Sequence, residues 1–306
     1  MNRFVPVVIR RARDLAAMPH LVARSVAATR YAARAGAPGI QFAAFGRSLG
    51  LRALVALERG ALDLLLTPVS IVRYWEFPFV LRHLPQRPGR CLDISSPRLF
   101  SFYVASRMQP SMVRMLNPDR RDADVTQRLA RRFGLHAVVV ECVPVAAIDG
   151  ENGQYDSIWS ISVIEHIPED GDTEAMRLMY AALAPGGTLV VTVMVDRRPW
   201  DEYRDEDVYA LDAERDPRGV FFQRWYDEPA ISRRLLDPLG PVDANLEWFG
   251  ERVAGRFAEY VSDWLRRGRE RTVDDPREIA DWYASFRTWG DMPGQGVCGI
   301  VVRKPA

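Results

Sequence analysis

Lysine is almost missing from this chain of 306 residues: one stands at Lys304, against 40 arginines. An arginine-favouring codon bias explains that ratio more simply than a need for guanidinium groups. Cysteine is scarce too. Cys91, Cys142 and Cys298 are odd in number and widely spaced, which excludes a disulfide framework and zinc-type spacing and suits a reducing, cytoplasmic location. The four histidines, His20, His83, His136 and His166, show no metal-ligand spacing, so no metal is expected. No run approaches the roughly 18 apolar residues of a membrane span. The opening apolar stretch FVPVVI is too short for a signal peptide.

What is there is a globular composition, 48% hydrophobic and 26% charged, with a marked charge asymmetry. Residues 1–90 carry 14 arginines and 4 acids, a net charge of +10, and the remainder carries −9. Such an arm suits an anionic partner: a membrane surface, a nucleic acid or the protein's own acidic body. Leu15, Met18, Val22 and Val26 follow helical spacing. APG at 37–39 breaks this first helix, and a second is expected from Phe42 to Leu66, before Pro68. The arm either packs on the body or lies peripherally on a membrane. It lacks a nucleic-acid-binding module, so no nucleic acid is expected.

From Gly89 the rhythm changes to strands alternating with helices, the pattern of a parallel sheet with crossovers. RCLDI, MVRMLN, HAVVVEC, YDSIWSIS, TLVVTVMV, VDANLEWF and GVCGIVVRK read as seven strands. The charged segment 250–293, between the last two, is too long for a hairpin loop and is expected to fold into helices.

The stretch YDSIWSISVIEHIPEDGDTEAMRLMYAALAPGGTLVVTVMV, residues 155–195, resembles class I S-adenosylmethionine-dependent methyltransferases: an aromatic–Asp strand, a Glu-His turn, a helix, PGG and an apolar strand follow in order. With Asp93 ending a strand upstream, the resemblance covers about 86–306. It implies an α/β, Rossmann-like seven-stranded sheet, mostly parallel with an antiparallel last strand. Residues 1–85 form a helical N-terminal extension outside it. It further implies S-adenosyl-L-methionine as cofactor and methyl transfer to an oxygen, nitrogen or carbon atom of a small molecule. The alternative is a non-catalytic scaffold, or a membrane-peripheral binding protein, that has lost the cofactor.

Those alternatives turn on DISSP at 93–97. The family usually has glycines here, which reach positive φ and allow close backbone approach. Serine is a good helix N-cap and proline fits the first turn, so the loop is either a substitute cofactor loop or only a cap. In the first case the N–H groups of the turn face the cofactor carboxylate. By the resemblance, Asp93, Ser95, Ser96 and Pro97 bind the methionine end, and Asn117 or Asp119 the ribose. Asn117 and Asp119 also read as a plain Asn-Pro-Asp turn. Glu141 and Cys142 would meet the adenine, Ser160 and Ile161 the methyl-sulfonium region. Glu165 and His166 are the catalytic candidates, His166 as base towards a hydroxyl, unless they only fasten their loop. Arg73, Tyr74 and Glu76 would form a lid, and Arg224, Trp225 and Tyr226 would touch substrate; both groups have interface packing as the other reading.

Overall fold

The computed structural model describes residues 4–306 apart from positions 57, 59, 212 and 213, with side chains from Pro19 onward except Arg269. The elements in chain order are α1 (Phe4–Arg34), α2 (Ile40–Val55), α3 (Ala61–Leu66), α4 (Arg73–His83), β1 (Arg90–Ile94), α5 (Arg98–Arg107), β2 (Met112–Leu116), α6 (Arg120–Phe133), β3 (Val138–Glu141), β4 (Tyr155–Ile161), α7 (Gly171–Ala182) and β5 (Leu183–Val195). Then come β6 (Trp200–Arg204), β7 (Arg215–Asp216), β8 (Gly219–Trp225), α8 (Glu228–Ile231), β9 (Asp243–Glu251), α9 (Arg256–Arg267), α10 (Arg269–Thr272), α11 (Asp275–Trp282), β10 (Tyr283–Phe286) and β11 (Gly296–Arg303).

The main sheet runs β10-β9-β11-β5-β4-β1-β2-β3. β1 to β5 are mutually parallel, and β11 is antiparallel to both β5 and β9. All seven expected strands are present, with the last one reversed as expected. An eighth, β10, pairs antiparallel with β9 and is a correction to the seven-stranded sheet. It lies in the segment expected to be helical, and its four residues are too few to show an alternation. A second sheet, β6-β8-β7, follows β5.

Local chemistry explains the boundaries. Asp119 caps α6, accepting from the backbone of Arg121 at 2.9 Å, and Gly134 ends the helix at φ 72°. β5 is buried along Leu189–Val195, as its unbroken valine-rich run requires of a strand covered on both faces. PGG lies within β5 and not before it: Gly186 (φ 74°) forms a bulge where the pairing steps from Tyr155–Leu183 to Ser157–Thr188.

Packing divides the chain into two compact units. One is helical, the chain up to Tyr74 together with Ala258–Trp282; the other, Trp75–Phe257 and Tyr283–Ala306, contains the sheets. The division therefore falls earlier than the expected 85/86, and the arm has a second piece drawn from the 250–293 segment. Within the helical unit the expected 42–66 helix is two, with Gly60 at φ 84° before α3. The face of α1 also differs from the periodicity. Leu21, Ser25, Ala28 and Ala32 are buried while Val22 and Val26 are exposed, because small residues let the neighbouring helices approach closely. The side chains of Leu15 and Met18 lie outside the described residues. Arg24 pairs with Asp274, Tyr31 donates to Asp281 at 2.6 Å, and Arg47 donates to Thr29 at 2.6 Å. The arm thus finds acidic partners inside its own unit. No described helix is long and apolar enough to cross a membrane.

Candidate functional site

Strand order reverses between β1 and β4, with β2 and β3 to one side and β5 to the other. In open parallel sheets the crevice beyond the carboxyl ends at such a reversal is where ligands bind. The loop after β1 lies there. Ser95 sits at φ 53°, the left-handed region that glycine enters freely. Both its N–H and its hydroxyl donate to the Leu116 carbonyl, each at 2.8 Å, tying the loop to the end of β2. Ser96 donates its N–H to Asp93 at 2.9 Å and accepts at its hydroxyl from the Ile161 N–H at 3.0 Å, tying the loop to β4. The two serines thus span the reversal.

Asp93 is fully buried, and its carboxylate takes Ser96 on one oxygen and Ser101 on the other. Burial pushes its carboxyl above the usual range, against the pull of these hydrogen bonds. Asp93 shapes the loop from beneath, through Ser96 and Ser101. Ser101, which completes that arrangement, was missed; its spacing, eight residues on and on the inner face of α5, was the available signal. The cap of α5 is also not a serine: Pro97 holds that position, with no side-chain bond to the helix.

At the end of β2, Asn117 accepts from the Asp119 N–H at 3.0 Å and donates to Asp122 at 2.9 Å. Asp119 caps α6 and pairs with Arg121 at 3.0 Å, and that hydrogen bond holds its carboxyl below the usual range. The Asn-Pro-Asp turn is thus built as such. At the end of β3, Glu141 makes a two-pronged pair with Arg114, at 2.9 and 2.8 Å. Arg114 also donates to Glu151 and to the Tyr155 hydroxyl. Cys142 is half-buried, its thiol 3.7 Å from the Pro118 carbonyl.

The end of β4 carries more than was foreseen. The hydroxyl of Ser160 is buried with no hydrogen-bond partner among the described residues, beside the backbone of Ile161 already described. Ser162 follows at φ 45°, donating its N–H to the Thr192 carbonyl at 2.9 Å. Its hydroxyl donates to Glu76, and Thr192 donates to the same Glu76 oxygen at 2.7 Å. Glu76 is fully buried on α4. It is a clamp on the ends of β4 and β5, not a lid. Arg73 and Tyr74, expected beside it, belong to the helical unit. There Tyr74 is buried, which pushes its hydroxyl pKa up.

Glu165 is buried in the turn after β4. His166 donates from Nδ1 to the Phe222 carbonyl at 2.6 Å, which leaves Nε2 as an acceptor in the neutral ring. The Tyr209 hydroxyl lies 3.3 Å from both ring nitrogens. The expected substrate contacts Arg224 and Tyr226 instead converge on buried Asp172: Tyr226 donates at 2.6 Å and Arg224 pairs at 2.9 Å, joined by Arg234 at 2.7 Å. Two arginines and a phenol neutralise a carboxylate at the start of α7. Trp225 stacks on Trp200, centroids 5.5 Å apart. Among the described residues no cluster of three or more His, Cys, Asp or Glu could hold a metal ion.

Five parallel strands ordered 3-2-1-4-5, a reversed strand beside the fifth, and a left-handed loop at the reversal decide the architecture. The chain has the class I methyltransferase fold. No family model and no curated protein sequence matches it. Solved structures do. A methyltransferase from Thermotoga maritima, described as a possible histamine N-methyltransferase, is similar at 16% identity over 84% of this chain and 99% of that one (TM-score 0.46). Coclaurine N-methyltransferase is similar at 12% identity over 74% and 69% (TM-score 0.48). The cyclase SpnF is similar at 18% identity over 75% and 80% (TM-score 0.46).

The loop suits the methionine end of S-adenosylmethionine in two respects. Ser95 reproduces the glycine-type backbone, and the partnerless Ser160 hydroxyl offers a polar atom at the end of β4. The ribose and adenine ends suit it less, since Asn117 and Asp119, expected at the ribose, and Glu141, expected at the adenine, each have partners within the protein.

Proposed function

We propose that the sheet unit binds S-adenosylmethionine beyond the ends of β1, β2 and β4 and methylates a small molecule. The observation that carries this reading is Ser95, which holds a glycine-type conformation at the sheet reversal through two bonds to Leu116. The bound cofactor supplies an electrophilic methyl group on sulfur, transferred by in-line displacement. Ser95 and Ser96 would support the methionine end, with the first N–H groups of α5 towards its carboxylate. Asp119 would keep one oxygen shared with hydroxyl donors, since its Arg121 partner is solvent-exposed. Residues around the pocket align nucleophile and methyl, which supplies most of the rate. His166 would accept a proton through Nε2 where the nucleophile is a hydroxyl.

A small acceptor is favoured because Arg24 and Arg47 of the basic arm are engaged inside their own unit. The three free cysteines, two of them buried, fit a reducing compartment. One observation favours the non-catalytic scaffold as second reading: the polar groups at the ends of β2 and β3 already have internal partners. Calorimetric titration of the ligand-free chain with S-adenosylmethionine, and separately with S-adenosylhomocysteine, decides between them. Saturable one-to-one binding is expected. A folded chain that binds neither would establish the scaffold reading.

A further inference from the structure

The second sheet carries an aromatic cluster that the cofactor site does not use. Phe222 on β8 and Tyr209, in the loop between β6 and β7, lie parallel, with centroids 6.0 Å apart and planes 7° apart. The His166 imidazole stands edge-on to both, 5.0 Å from Phe222 and 5.2 Å from Tyr209. The Arg204 guanidinium covers Phe222 at 3.7 Å. Tyr209 therefore presents a phenol to a stacking ring while its hydroxyl meets the imidazole that is the candidate base.

The loop reaches this arrangement with visible compromise. Ala210, next to Tyr209, is held at φ 50°, a region costly to a residue with a side chain. Val208 and Leu211 on either side are each 46% exposed. The turn is held by Asp207, which accepts from the N–H groups of Tyr209 at 3.1 Å and Leu211 at 2.9 Å. The loop thus places one aromatic ring inwards at the expense of two apolar neighbours in water. A ring stacked on Phe222 and a hydroxyl on His166 together specify a phenol, aromatic face and O–H donor, while Arg204, paired with Glu202 at 2.8 Å, covers the Phe222 ring.

We propose that His166, Phe222 and Arg204 form a binding subsite for phenols, and that Tyr209 fills it as a stand-in that an incoming phenol displaces. That this phenol is the methyl acceptor rests on the function proposed above; the binding itself does not. Apparent affinity scales with the fraction of molecules whose subsite is open, so a stand-in present about nine-tenths of the time weakens binding about tenfold.

The test is titration calorimetry with 4-ethylphenol, and with 4-ethylcyclohexanol as non-aromatic control, without S-adenosylmethionine. The absence of cofactor separates this result from that of the methyl-transfer reading. Tyr209→Ala should bind 4-ethylphenol about tenfold more tightly than the unaltered chain, Tyr209→Phe, which keeps the stacked ring but loses the hydroxyl on His166, should fall between the two, and adding Phe222→Leu to Tyr209→Ala should abolish the gain. Equal affinity in Tyr209→Ala and the unaltered chain, or equal binding of 4-ethylcyclohexanol, overturns the proposal. If Tyr209→Ala does not fold, saturating 4-ethylphenol must shift the His166 ring resonances of the unaltered chain while the cyclohexanol leaves them in place. No such shift also overturns it.

Discussion

Replacing Ser95 tests the geometry on which the cofactor reading rests. At φ 53° any residue with a Cβ carries about 1–2 kcal/mol of left-handed strain. Its hydroxyl bond to Leu116, at 2.8 Å, returns about 1 kcal/mol. Ser95→Ala keeps the strain and loses that bond. The Leu116 carbonyl still accepts from the residue-95 N–H, so no buried acceptor is stranded, and the cost should be about 1 kcal/mol. Ser95→Gly loses the same bond but sheds the strain, and a more flexible unfolded chain takes back about 0.4–1 kcal/mol. Glycine should therefore come out near the natural serine and above alanine by about 0.5–1 kcal/mol, a difference of about 2 °C in melting temperature for a chain of this size. Thermal and urea unfolding followed by far-ultraviolet circular dichroism, with the variants side by side, would resolve it. An alanine variant as stable as the glycine variant would mean that residue 95 is not left-handed, and the argument for a substitute glycine loop would fall. S-adenosylmethionine affinity should follow the same order, with glycine at or above serine.

Two further substitutions probe buried carboxylates of the sheet unit, Glu76 and Asp172. Glu76→Ala removes the acceptor shared by Ser162 and Thr192 and should cost about 3 kcal/mol, whereas Glu76→Gln keeps a carbonyl and should cost less; equal melting temperatures for the alanine variant and the natural chain would show that the clamp contributes nothing. Burial opposes ionisation of Asp172, but hydrogen bonds from Arg234 and Tyr226 outweigh it and hold its carboxyl below the usual range. A depressed folded pKa stabilises above the ordinary value near 4 and loses that stabilisation as pH falls through the depressed one. Asp172→Asn should accordingly cost about 3 kcal/mol at pH 7, and the gap to the natural chain should narrow below about pH 4. A gap that stays constant from pH 7 to pH 3 in urea titrations would refute the assignment.

What could be read in the sequence was local. β1 was legible as RCLDI because four buried residues precede a Ser-Ser-Pro stop, and Asn117 to Asp119 as a turn because its hydrogen bonds close within two residues. What was not legible depends on partners far along the chain. Glu76 meets Ser162 across 86 positions, and without that partner a glutamate amid IVRYWEFPFVL reads as a polar interruption at a surface. Arg224 and Tyr226 look like substrate contacts until Asp172, more than 50 positions earlier, is seen between them. Tyr209 carried no signal at all: VYAL at 208–211 is too short between acidic residues to show a period, and only the return of β8 brings Phe222 against it.

The pairing of β9 with β10 bears on how this protein can be taken apart. Glu251 and Tyr283 are register partners, so the chain that leaves the sheet at one returns at the other. The intervening 31 residues are an excursion hung on what would otherwise be an ordinary hairpin. Shortening it to a tight turn, and starting the chain at Trp75, would remove the helical unit without cutting any strand of the main sheet. Deleting only the N-terminal helices would leave α9 to α11 behind, with Asp274 and Asp281 stripped of Arg24 and Tyr31. The arm is one unit spelled in two places, and a shortened protein has to be edited in both.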